Sequence, residues 1–221
     1  MCGRMTMTHP DDAMARLFDA APANDLPDVP RYNICPTQAV AVVTSDAGLR
    51  RYRPMRWGFL PHWYETPTGG PLLINARAET IAEKPAFRAA CRERRCLIPA
   101  TGFYEWTRDG AGNPLPWYIR PRDGAPLVLA GIWQDWVRDE ARHTTCAIVT
   151  CPAGTALSHI HHREPVSLAP GDWARWLGED GTGAALLMRA APADRFEAFR
   201  VARSVNSNRA EGAALTLPLA Q

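Results

Sequence analysis

"CLIPATGFYEW", residues 96–106, carries a single charge, Glu105, set between Tyr104 and Trp106. A run of apolar, β-branched and aromatic residues like this reads as a strand. Downstream, "LPWYIR", "PLVLAGIWQDW" and "TTCAIVT" have the same character, and "TRDGAGNP" is the turn joining the first of them to the quoted stretch. Upstream, "AVAVVTSD" and "LRRYRPMRWGFL" read as two more strands, joined by a turn at Ala47 and Gly48. Helices punctuate the series. "THPDDAMARLFDAA" is expected to be capped by Thr8 or His9, with Asp11 and Asp12 in its first turn and Met14, Leu17 and Phe18 as its apolar stripe. "PAFRAACRERR" opens on Pro85, and "LAPGDWARWLG" buries Trp173, Trp176 and Leu177 and stops at Gly178. "PADRFEAFR" reads as a last helix, and "NDLPDVPRYNICPTQ" and "PHWYETPTGGP" as loops. No repeat or linker interrupts the pattern, so a single α+β domain of mostly antiparallel strands is expected.

The bulk numbers narrow the function. The 221 residues suffice for one good-sized core, and 46% apolar with 22% charged residues is ordinary for a globular domain. No apolar run approaches the roughly 18 residues of a membrane span. With no basic and apolar leader at the N-terminus, the expected address is the cytoplasm. A net charge of +2 does not by itself demand nucleic acid. Lys84 is the only lysine, so Schiff-base chemistry would have Lys84 and the N-terminus to draw on. Cys91/Cys96 and Cys146/Cys151 repeat a C-x4-C spacing, but on strand-like segments, so they read as small core residues rather than zinc ligands or disulfides.

The chain starts "MCGR". Removal of Met1 is expected, and it would leave Cys2 with an α-amine and a thiol on adjacent carbons. An α-amine with a pKa of about 7.7–8 is substantially neutral near neutral pH, where lysine at about 10.4 is not. "INARAET" puts Asn75, Arg77 and Glu79 on one face of a strand, and "SHIHHREP" does the same for His159 and His161, with His162 and Arg163 following. An aminothiol with Asn, Arg, Glu and His suits acid–base chemistry on an electrophilic carbon. Two uses remain open on these residues: thiolate attack on an amide, with the α-amine as base, or condensation of the amine with an aldehyde, closed by the thiol into a thiazolidine.

Six segments in order, "MCGR", "RYNICPTQ", "RWGFLPHW", "INARAET", "RRCLIPATGFYEW" and "HHREPV", resemble the SRAP family, the SOS-response-associated peptidases. The resemblance runs from residue 2 to about residue 208, and a single domain over residues 2–221 is expected. It implies a compact α+β domain around a strongly curved, barrel-like, mostly antiparallel sheet with flanking helices. It also implies a sensor of abasic sites in single-stranded DNA that crosslinks covalently through its N-terminal cysteine. On that resemblance, Cys2 is the nucleophile, with Asn75, Glu105 and His161 around it. Arg4, Arg77 and Arg163 would hold DNA phosphates, and Asn33, Pro36, Trp57 and Trp63 would shape the groove and wedge against bases. His161 rather than His162 is chosen because the family histidine lies two places before the arginine. Two positions depart from the family pattern. Glu164 replaces a Met or Arg and sets a carboxylate beside Arg163, and Cys35 replaces a small apolar residue.

The implied chemistry needs no cofactor or metal, and a monomer is expected. His161 would help open the sugar to its aldehyde, Glu105 would shuttle protons on the way to the imine, and Asn75 would orient the sugar or the N-terminus. β-Elimination of the strand is a possible side reaction of the imine. Three rivals stand beside this reading: a peptidase using Cys2 with Glu105 and His161, a non-covalent single-strand DNA-binding protein, and a metal-dependent hydrolase on His159, His161 and Glu164.

Overall fold

The computed structural model describes residues 2–219, so the removal of Met1 lies outside the described residues. In chain order, β1 (Met5–Met7) leads into α1 (Asp11–Phe18), β2 (Ala20–Pro22), β3 (Arg31–Ile34), β4 (Ala39–Asp46) and β5 (Leu49–Trp57). Next come β6 (Asn75–Arg77), α2 (Arg88–Glu93), β7 (Arg95–Ala100), β8 (Gly102–Arg108), β9 (Pro114–Pro121), β10 (Leu127–Arg138) and β11 (Ala141–Pro152). The chain finishes with β12 (Arg163–Pro165), α3 (Trp173–Leu177) and β13 (Phe196–Arg200), followed by short 3-10 turns.

The stretch read as one strand is two. Arg95–Ala100 and Gly102–Arg108 part at Thr101 and enter different sheets. β7 belongs to a ring in which β4, β5, β11, β10 and β7 pair in turn, so the sheet closes on itself. The closing contact is the parallel pairing of Arg56 and Trp57 with Thr145 and Cys146. β8 lies in a five-stranded sheet ordered β13-β9-β8-β1-β3. The crossing point is tied down by polar contacts: the Thr8 N–H donates to Thr101 Oγ1 at 2.8 Å, and the Thr101 N–H to the Thr6 carbonyl at 2.8 Å. Gly102 is needed there, because a Cβ would lie 2.6 Å from the Ile119 carbonyl oxygen across the ladder.

β7 and the first half of β10 are buried on both faces, and Leu97, Ile98, Leu129, Ile148 and Phe103 belong to one continuous core. The curved, mostly antiparallel α+β architecture agrees with expectation. The turn joining β4 and β5 does too, with positive φ at both Ala47 (49°) and Gly48 (82°), as a two-residue hairpin turn requires.

Three local expectations are corrected. Neither Thr8 nor His9 caps α1: Pro10 occupies the cap without a side-chain bond, because the Thr8 hydroxyl is engaged with Thr101 Oγ1 at 2.9 Å. Leu17 is exposed, and the buried face of α1 is Met14, Ala15 and Phe18. The last helix, in "PADRFEAFR", is instead β13. The free edge of β9 offers a five-residue antiparallel ladder from Phe196↔Pro121 to Arg200↔Trp117, and Arg120 meets Glu197 at 2.6 Å across it. Among the described residues, no helix is long and apolar enough to cross a membrane.

Candidate active site around Cys2

β1 runs antiparallel to β8, with Met5 opposite Phe103, and the Tyr104 N–H donates to the Arg4 carbonyl at 2.9 Å. This pairing carries the N-terminal segment up to Glu105. From the other side, β6 lies parallel on β11 and delivers Asn75, whose Nδ2 donates to the Cys2 carbonyl at 2.9 Å. Cys2 is fully buried and Glu105 is 4% exposed. Burial pushes the Cys2 thiol well above its ordinary range, and the Glu105 carboxylate pushes it further. A hydrogen bond from the Arg4 backbone acts the other way. Burial likewise raises the Glu105 carboxyl, so the protonated acid is favoured more than on a surface.

Beside this pair opens a cleft of about 530 Å³, lined by Arg4, Glu105, Trp106, Arg108, His161 and Asn206 among others. His161 comes from the turn before β12. Its Nδ1 accepts the Arg163 backbone N–H at 2.9 Å, and its pKa is lowered, chiefly by burial. Of the residues expected at the reaction centre, Glu105 and His161 reach the cleft wall. Cys2 and Asn75 are joined behind it through the Cys2 carbonyl.

The residues expected on DNA divide. Arg77 is exposed, Trp63 is 44% exposed, and Pro36 is half-buried in the turn after β3. Trp57 is a correction: it is fully buried, and its Nε1 donates to the Ile74 carbonyl at 3.1 Å. It closes the barrel and buttresses the backbone just before Asn75, so it cannot wedge against a base. Arg163 is a second correction. Its guanidinium grips both carboxylate oxygens of Glu79 and donates to the Thr150 carbonyl at 2.8 Å, leaving 8% of the side chain exposed. It holds β12 to β11 and to the segment after β6.

Glu164 causes no conflict, since its oxygens accept the Gly154 and Ala191 N–H groups at 2.9 and 2.7 Å. Cys35 is buried, with its Sγ 3.5 Å from the Asn33 carbonyl. His159 sits edge-on to Trp117 (5.8 Å) and, like Glu164, does not join His161. Among the described residues, no three His, Cys, Asp or Glu side chains converge as a metal site.

Arg4 and Asn33 are turned inward. Arg4 donates to Asn33 Oδ1 (2.6 Å), the Val205 carbonyl (2.9 Å) and Asn208 Oδ1 (2.5 Å), and Asn33 Nδ2 donates to the Ser207 and Ala210 carbonyls. Asn206 Oδ1 accepts the Trp106 indole N–H at 2.7 Å. The segment "SVNSNRA" (204–210) is thus a wall of the cleft. Sequence reading missed it, although Asn206 and Asn208 bracketing a serine were the available signal.

The family model for SOS response associated peptidase (SRAP) matches residues 1–208. The chain belongs to the SRAP family. Among curated SRAP relatives, the abasic site processing protein YoaM of Bacillus subtilis is 35% identical over 97% of both chains. The abasic site processing protein YedK of Escherichia coli is 29% identical over 99% of this chain and 100% of its own. The abasic site processing protein HMCES of Rattus norvegicus is 30% identical over 95% of this chain and 73% of its own. A crystal structure of a protein from Bacteroides thetaiotaomicron shares the fold with a TM-score of 0.87 at 23% identity, covering 99% of this chain and 100% of that one.

Proposed function

We propose that this SRAP protein captures abasic sites in single-stranded DNA as a covalent adduct on Cys2, acting in the response to DNA damage. The observation that carries the reading is the pairing of a fully buried Cys2 with a buried Glu105 whose carboxyl is raised by burial, beside a cleft that His161 and Arg4 line. The names of the relatives support the choice of substrate.

With Met1 removed, the chemistry balances as follows. His161 donates a hydrogen bond to the ring oxygen of the sugar and favours the open aldehyde. The Cys2 α-amine adds to C1′ to give a carbinolamine. Glu105 supplies the proton with which the hydroxyl leaves as water, and its carboxylate takes up the proton from nitrogen as the imine forms. The Cys2 S–H then adds across the C=N bond: sulfur bonds C1′, nitrogen takes the hydrogen, and the thiazolidine closes. The net change is loss of one water. Glu105 in its neutral form suits that proton delivery, and the reverse sequence returns the proton to it. Arg77 and Arg108, both exposed, would meet phosphates. β-Elimination from the imine would compete with ring closure and give a minor strand-cleaving activity.

A thiol raised by burial is a poor source of thiolate, which favours this amine-first route over attack on a peptide. The test is mass spectrometry of the mature protein mixed with a single-stranded oligonucleotide bearing one abasic site. The expected species has the summed mass of the two partners less one water, is stable without reductant, and is absent for Cys2→Ala. A stable adduct on Cys2→Ala, or cleavage of peptides with no DNA adduct, would overturn the proposal.

A further inference from the structure

His161 and His162 lie ring on ring, with centroids 4.3 Å apart and planes 28° from parallel. His161 is half-buried on the cleft wall, and His162 covers it from the solvent side. Because the Arg163 N–H donates to His161 Nδ1, that nitrogen offers a lone pair and the neutral ring carries its hydrogen on Nε2. The Arg163 carbonyl oxygen lies 3.2 Å from the same Nδ1. An imidazolium would therefore have to exchange a backbone donor for a backbone acceptor at Nδ1.

We propose that His162 is a positioning residue for His161: by stacking on it, His162 holds the ring against the cleft wall and keeps it in the neutral Nε2–H form. The inference rests on the role given to His161 above. Two cationic rings in stacking contact repel, so the second proton is disfavoured on either one. The other charged groups around the pair are the amino terminus and Arg4 in the N-terminal segment, Arg77 on β6, Glu105 and Arg108 on β8, and Arg163 on β12. Five of the six are cations, and burial disfavours the charge of Glu105. Their field and the stack act in one direction. Burial lowers His161 and its neighbour lowers His162. The ring then stays neutral, with Nδ1 accepting the Arg163 N–H and Nε2–H turned to the sugar, down to a lower pH than an isolated histidine would allow.

The experiment is an NMR titration of histidine-labelled protein without DNA, comparing wild type, His162→Asn and His162→Phe, with His161→Asn to assign the signals. His162 is exposed, so these variants fold. His162→Asn should raise the His161 midpoint by a few tenths of a pH unit and mix its tautomers, whereas His162→Phe, which keeps a stacked ring, should preserve the Nε2–H signature. An unmoved midpoint in His162→Asn, or loss of the tautomer signature in His162→Phe, overturns the proposal. The pH profile of crosslinking is measured alongside and should break at the shifted midpoint. If the NMR midpoint moves and crosslinking does not follow, the stacking pair stands and the role of His161 in capture falls.

Discussion

Replacing Arg163 with methionine separates a structural arginine from a phosphate-binding one. Methionine keeps the aliphatic stem and deletes the guanidinium. The substitution removes a charge-assisted hydrogen bond to the buried Thr150 carbonyl, worth about 1.5–3 kcal/mol. That carbonyl keeps its bond from the Ala78 N–H at 2.8 Å, so it is not stranded. The pair with Glu79 adds little, at about 0–1 kcal/mol, because the Glu79 side chain is 43% exposed and rehydrates when its partner goes. Relief is small as well: Arg163 Nε is buried without a hydrogen bond and its desolvation cost disappears with it. The sum is a loss of about 2–3 kcal/mol. For a chain of this length that corresponds to a fall in Tm of about 4–12 °C, read by calorimetry or urea unfolding. Binding of single-stranded DNA should keep the same dependence on salt, because no phosphate contact is deleted. A phosphate contact on a single strand contributes about 0.7 to the slope of log K against log salt. A slope reduced by about that amount, with Tm unchanged, would refute the structural assignment of Arg163.

Arg77→Ala, by contrast, should reduce that salt slope by about 0.7 for abasic and intact strands alike and leave Tm unchanged, as fluorescence titrations at several salt concentrations would reveal. Glu105→Gln should bind abasic DNA normally yet crosslink about a hundred- to ten-thousand-fold more slowly in single-turnover assays; equal rates would remove Glu105 from the chemistry. The same variant has a signed pH signature. Because the folded pKa of Glu105 is raised, its contribution to stability is present below the unfolded pKa and is lost as pH rises through the folded one. Glu105→Gln should therefore gain Tm relative to wild type at neutral pH, and the gap should close on acidification; a constant gap would count against a buried carboxyl. Trp57→Ala should cost about 3–5 kcal/mol by emptying the barrel end, whereas Trp63→Ala should weaken DNA binding without moving Tm, and an exchange of these phenotypes would reverse the two assignments.

Most of the fold was legible where short-range chemistry decides it. Ala47–Gly48 announces a hairpin turn, and Gly178, at φ 85°, ends α3 where the sequence places it. What was not legible depends on partners far along the chain. Nothing local in "FEAFR" reveals that β9 has a free edge waiting for it. The break at Thr101 is set by Thr6 and Thr8, some 93 to 95 positions away. At the site, residue types singled out Cys2, Asn75, Glu105 and His161, and the fold brings these four into one neighbourhood. They could not distinguish an arginine held by Glu79 from one left for solvent, or a tryptophan closing a barrel from one at its rim. Burial decides both, and burial is a property of the assembled fold.

The contact between Arg4 and the carbonyl of Val205 joins positions 201 apart in the chain. A nascent chain exposes its first residues long before the ribosome has made the segment that completes their surroundings. Until Asn208 and Ala210 have emerged, Arg4 and Asn33 lack the partners that shape the cleft wall, and Cys2 stands outside any finished site. Products of premature termination would carry Cys2 and Arg4 without the surroundings that this segment completes. The working cleft is thereby reserved for chains in which residues 205–210 have already been made.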